Sequence, residues 1–209
     1  MENKKLIRFV ESFVLLPIMT IAMPLGSLPK DSVNVVVAPQ SVLSQKQNIR
    51  ASSLLAFNQA MDEKANLLKI KADAIDAYFK DHDMPLLGTG MKMVKEAEAN
   101  DLDWRLVAAI AIRESTGGKF DCKKVENNPF GWGSCKIGFK SVDEAIEKVA
   151  KHLGGNMEST AHHYADKNTE QILKIYNPPS IVKNYAKQVI SIMNEIGDED
   201  IALTQEANT

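Results

Sequence analysis

The sequence predicts a mainly α-helical fold carrying one small irregular or hairpin-containing insertion, and three observations predict it. Apolar residues recur near a 3.6-residue period through most of the chain after Ala51. The interruptions are short and built from Gly, Pro, Asn and Asp. One stretch, residues 119–140, abandons the helical period altogether and concentrates two Cys, three Gly, one Pro and four aromatics in 22 positions.

Taken in order, the chain opens on a basic start (Lys4, Lys5, Arg8) and an apolar run, Phe13 to Leu28, of 16 residues. That is shorter than the roughly 20 residues a spanning helix needs, and Pro17 and Pro24 interrupt it. Residues 1–29 therefore read as a signal peptide or membrane anchor, so the protein is expected to be exported, secreted or held at the cell envelope. Residues 30–50 lack helical periodicity and read as a tether without fixed structure. From Ala51 to Lys80 apolar residues repeat without a breaker, predicting one long helix or two stacked ones. Residues 51–72 form a helical extension of the domain proper.

Pro85, Gly88 and Gly90 separate this helix from amphipathic stretches at Met91–Ala99 and Leu102–Ser115. Asp103 is the expected N-cap of the latter, and Gly117 and Gly118 supply its left-handed end. After the insertion, Ser141–Leu153 opens on the capping-box pattern SVDE. Further helical faces lie around Ile172–Ile175 and Val182–Ile196, divided by Asn177, Pro178 and Pro179, and residues 198–209 form a polar tail.

Composition excludes several function classes. With 44% hydrophobic and 25% charged residues, the chain is well clear of the disordered range. A formal charge of −2 gives no field for nucleic acid, so none is expected as a partner, and a polyanion-binding role needs a local patch. No 20–50-residue repeat occurs. His152, His162 and His163 have no Cys or HExxH partner, so no metal and no cofactor is expected.

One carboxylate stands out. The helix in DWRLVAAIAIREST is apolar around most of its circumference, yet it ends in Glu114, which shares a face with Val107, Ile110 and Ala111. Desolvation and the negative end of the helix dipole both disfavour its charged form. A carboxylic acid that keeps its proton near neutral pH is what glycosidic bond cleavage asks of a general acid. The alternative is an end-of-helix acid paired with Arg113 or a nearby Lys. In NNPFGWG, Phe130 and Trp132 offer flat apolar surfaces beside exposed amides, which suit an N-acetyl sugar, or else they pack under the loop. Asp121 and Glu126 are the candidates for a second carboxylate, though spacing gives no distance to Glu114. Cys122 and Cys135, 13 apart, flank the turn and can form a disulfide in an exported protein.

The ordered blocks LVAAIAIRESTGGKF, NNPFGWGS, FKSVDEAIEKVAKHL, YNPPS and YAKQV, spanning about residues 73–197, resemble the glucosaminidase branch of the lysozyme-like superfamily. These are peptidoglycan hydrolases of bacteria and their phages, often described as mannosyl-glycoprotein endo-β-N-acetylglucosaminidase-like. The resemblance implies an α+β lysozyme-like domain over residues 73–197, with Glu114 as catalytic acid at the end of a core helix. It further implies that Asn128, Phe130 and Gly131 form a turn lining the cleft, that Tyr176 faces the acid across it, and that Ser115 lies with the substrate. Peptidoglycan glycan strands are then the expected partner, bound by a monomer that meets the membrane only through its N-terminal segment. A lytic transglycosylase and a non-catalytic glycan-binding module on the same fold are the alternatives.

Overall fold

The computed structural model describes residues 40–201, with side chains described from Leu54 onward. The signal-peptide or anchor expectation for residues 1–29, the start of the tether and residues 202–209 lie outside the described residues. The chain divides into two compact units, residues 1–46 and 47–209; of the first, only a helical start at 40–46 is described. The protein is mainly helical, with no strand among the described residues. No described helix is long and apolar enough to cross a membrane.

Helix α1 runs unbroken from Gln40 to Asp81, one long helix that begins inside the segment expected to lack structure. No Gly or Pro interrupts residues 41–81, so nothing in the local sequence stops the helix there. Its far end carries the core residues Ala72, Ile75 and Phe79. Asp76 Oδ1 accepts the N–H groups of Gly88 (2.9 Å) and Gly90 (3.0 Å), so α1 caps the start of α2 (Gly90–Ala99). A side chain at Gly90 has no room, since its Cβ falls 2.4 Å from the Ala72 carbonyl oxygen.

Helix α3 (Leu106–Ser115) is the hub, with every residue from Leu106 to Ile112 buried. Its alanines 108, 109 and 111 let neighbours approach closely, and each fully buried Leu, Ile or Val contributes about 1.5–3 kcal/mol. It starts at Leu106 rather than just after Asp103, whose Oδ1 accepts the Arg105 N–H (2.9 Å) in a turn ahead of the helix. The Asp103 carboxylate grips the buried Arg105 guanidinium through both oxygens, at 2.9 and 2.6 Å, and Arg105 also donates to the Gly197 carbonyl at 2.8 Å. That clamp ties the start of α3 to the end of the last helix. At the other end the left-handed conformation begins at Thr116 (φ 53°), one residue before the glycines.

The insertion forms no hairpin. Left-handed residues Asn127, Gly131, Gly133, Ser134 and Cys135 prevent extended pairing, leaving among the described residues one backbone-to-backbone bond across the loop, Phe139 N–H to Glu126 O (3.0 Å), and a one-turn element α4 (Trp132–Cys135). The β part of the expected α+β fold is thus absent among the described residues. Helix α5 (Val142–Leu153) is capped by Ser141, whose Oγ accepts from Glu144 N–H at 3.1 Å, while Glu144 reaches back to Lys140 N–H. One-turn α6 (Ala161–Tyr164), α7 (Thr169–Tyr176), with an Asn168–Gln171 capping box, and α8 (Tyr185–Ile196) complete the body. Helix α8 lies along α3, α7 packs on α8, and α5 packs on α2.

Candidate active site

Glu114 occupies the last turn of α3, where the buried helix meets an open cleft of about 490 Å³. Its side chain is half-buried and makes no ion pair among the described residues. Arg113, the alternative partner, instead donates to Gln188 Oε1 (3.0 Å) and lies over the Tyr185 ring at 5.8 Å. The cleft is walled by Trp132 and Ser134 from the insertion, by Tyr164, and by Tyr176, Asn177 and Ile181 from the end of α7 and the segment after it.

Tyr185, the first residue of α8, donates its hydroxyl to Glu114 Oε1 at 2.6 Å. Burial pushes this phenol far above its ordinary value, and the Glu114 charge pushes it further, so it remains a protonated donor at any physiological pH. The other oxygen, Oε2, faces the backbone of Gly131. A Cβ there falls 3.1 Å from Oε2, and φ is 62°, so both the space and the left-handed backbone call for glycine.

Tyr176 lines the same cleft, but its hydroxyl donates to the Phe130 carbonyl rather than to the acid. Burial, then the charge of Glu114, then Tyr164 raise its phenol well above the usual value. Its ring lies parallel to Tyr185 at 6.0 Å and beside Trp132 at 5.8 Å, and Trp132 in turn rests on His152 at 4.8 Å. The result is a continuous aromatic file from the acid to the last turn of α5. His152 is lowered from its ordinary value by burial and then by the Lys148 charge; its Nδ1 lies 2.8 Å from Thr160 Oγ1.

Several expected contact residues have structural roles instead. Asn128 is fully buried: its amide donates to the carbonyls of Trp132 (2.9 Å) and Ile137 (2.8 Å) and accepts Trp132 N–H (3.0 Å). It holds the loop and has no polar atom left for a sugar. Phe130 is a core side chain that reaches the site only through its carbonyl. Ser115 is buried, with Oγ bonded to Ala111 O and Gly118 N–H, closing the end of α3. Gly131 and Trp132 do line the cleft.

Neither candidate second carboxylate reaches it. Asp121 accepts the N–H of the adjacent Cys122 (2.7 Å), and Glu126 is exposed on the loop. Glu114 is the one carboxylate among the residues lining the cleft. Cys122 and Cys135 form the disulfide, with Cα atoms 5.4 Å apart, closing the loop that presents Trp132. Sequence reasoning missed Tyr185: a tyrosine opening an amphipathic helix reads as a core residue, and the only signal was its place in the block YAKQV.

Comparison with protein-family models, with curated proteins and with solved structures finds no match to this chain.

Proposed function

We propose that this protein cleaves the β-1,4-linked glycan backbone of peptidoglycan, with Glu114 as general acid. The carrying observation is the carboxyl group itself: half-buried at the end of a buried helix, unpaired by any cation among the described residues, held at Oε1 by Tyr185 and opening onto an aromatic-walled cleft. The five sequence blocks that resemble the glucosaminidase branch of the lysozyme-like superfamily point to the same chemistry, and the apolar amino-terminal run suits an exported or envelope-anchored enzyme.

In this reading Glu114 gives its proton to the oxygen leaving the scissile bond as an oxocarbenium-like sugar develops. The carboxylate so formed, still bonded to Tyr185, then takes a proton from the attacking hydroxyl. Trp132 and Tyr176 offer ring faces to the apolar sides of the sugars. If water attacks, the product is a reducing end and the reaction is hydrolysis. If an internal hydroxyl of the same sugar attacks, the product is an anhydro end one water lighter, the lytic transglycosylase outcome. The second outcome has its own support, because a single carboxylate in the cleft leaves no side chain to activate water as a separate base.

A zymogram on purified peptidoglycan tests the assignment, wild type beside Glu114→Gln, with mass spectrometry of the fragments. The glutamine variant is expected to lose roughly 10²- to 10⁴-fold in rate. Clearing at the wild-type rate would leave the protein as a glycan-binding module at most. Fragment mass separates reducing from anhydro ends.

A further inference from the structure

The insertion has a charge unlike the rest of the molecule. Residues 119–140 hold five lysines against two carboxylates, Asp121 and Glu126, a net of +3 in a chain whose total is −2. All five lysines are exposed. Lys119 donates to the His82 carbonyl, and Lys140 lies within the electrostatic reach of Glu144. Lys123, Lys124 and Lys136 form no ion pair among the described residues. The disulfide gathers them: Lys123 follows Cys122, Lys136 follows Cys135, and the two half-cystines are 5.4 Å apart at Cα. With about 3.8 Å per chain step, the Cα atoms of Lys123 and Lys136 lie within about 13 Å of each other. Lys136 is also two residues beyond Ser134, which lines the cleft. A covalent link thus gathers exposed, unpaired like charges on the loop that walls the cleft, a local positive field that favours an anion there.

We propose that this lysine patch docks the free carboxylates of the peptide stems carried by the glycan strand in the cleft. The inference rests on the glycan-cleaving reading above, and it adds how the strand is recognised outside the cleft. The N-acetylated sugars are uncharged, so nothing in the backbone itself attracts a lysine. The stems branching from alternate sugars end in carboxylates and project away from the strand, toward whatever flanks the cleft. The patch thereby selects strands that keep their stems over naked glycan.

The test is co-sedimentation with insoluble peptidoglycan freed of phosphate polymers, using full-length Glu114→Gln protein so that the ligand is not consumed. Binding is expected to weaken as salt rises from 25 to 500 mM, both values being about the two ends of the useful screening range. Replacing Lys123, Lys124 and Lys136 by Gln in that background is expected to weaken low-salt binding about tenfold, the order that three exposed charge contacts supply. Amidating the stem carboxylates should produce the same loss with the lysines intact, so the result survives a variant that folds poorly. Stem-free glycan whose exposed sugar carboxyls have also been amidated should bind both proteins equally. Equal binding of amidated and untreated material overturns the proposal, as does a lysine effect that appears only when phosphate polymers are left in place. The zymogram reads the acid separately: carboxylate-dependent binding without cleavage removes the catalytic reading and keeps the docking, and cleavage with no carboxylate dependence does the reverse.

Discussion

At the scale of single residues, the site is organised by a phenol whose hydroxyl, among the described residues, has Glu114 as its one hydrogen-bond partner. Tyr185 donates to Oε1 of Glu114, and its hydroxyl is kept protonated by burial and by the carboxylate beside it. A hydrogen bond to a charged group contributes about 1.5–3 kcal/mol, and 1.4 kcal/mol is tenfold in rate. Under the proposed chemistry, Tyr185→Phe is therefore expected to lower turnover on peptidoglycan about 10- to 100-fold while leaving KM near wild type, because the lost contact aligns the acid and touches no sugar. A comparable rise in KM, or no change in turnover, would remove the positioning role. Asn128 shows the opposite case. Its residue type suits an acetamido group, yet three backbone bonds consume its amide, and a burial of this kind cannot be read from an Asn-Pro turn alone.

At the scale of elements, the features set by neighbouring residues were legible and those set by distant ones were not. The α5 cap at Ser141 and the end of α3 after Ser115 follow from a few adjacent side chains, and both lie where the sequence places them. The start of α3 lies beyond the expected Asp103 cap because Asp103 holds both the N–H and the guanidinium of Arg105 in a turn ahead of the helix, a buried pair completed by the Gly197 carbonyl 92 residues away. The insertion was recognisable as irregular by composition, but its lack of a hairpin comes from a run of left-handed residues that only the folded backbone reveals. Ser134 and Cys135 adopt that conformation without being glycine, at a cost of about 1–2 kcal/mol each. Asn128 and the disulfide offset it. Replacing Cys122 and Cys135 together by Ser is expected to lower unfolding free energy by about 3 kcal/mol, the chain-entropy value for a loop of this size. Urea denaturation under non-reducing conditions checks this, and a thiol reductant should bring wild type to the level of the variant.

At the scale of the whole molecule, helices rather than sheets supply the frame, and α3 is enclosed by its neighbours α2, α5 and α8. Stability of such a body responds to pH through groups whose proton affinity changes on folding. His152 is one, its value lowered from 6.5 by burial against Trp132 and by Lys148. The unfolded chain then binds that proton more readily than the native one. The contribution is present in full above pH 6.5, and it is lost as pH falls from 6.5 toward the folded value. Thermal melts between about pH 7.5 and 5.5 should show wild type losing more than His152→Gln, and parallel curves would contradict the assignment. The acid comes from the third helix and its aligning phenol from the eighth, 71 positions later. Under the proposed chemistry a ribosome still short of α8 has made a blade with no hinge pin: the carboxyl exists, but nothing yet aims it. The aligned acid therefore depends on α8 docking against α3, and the 177–184 connection that delivers α8 also lends Asn177 and Ile181 to the cleft wall.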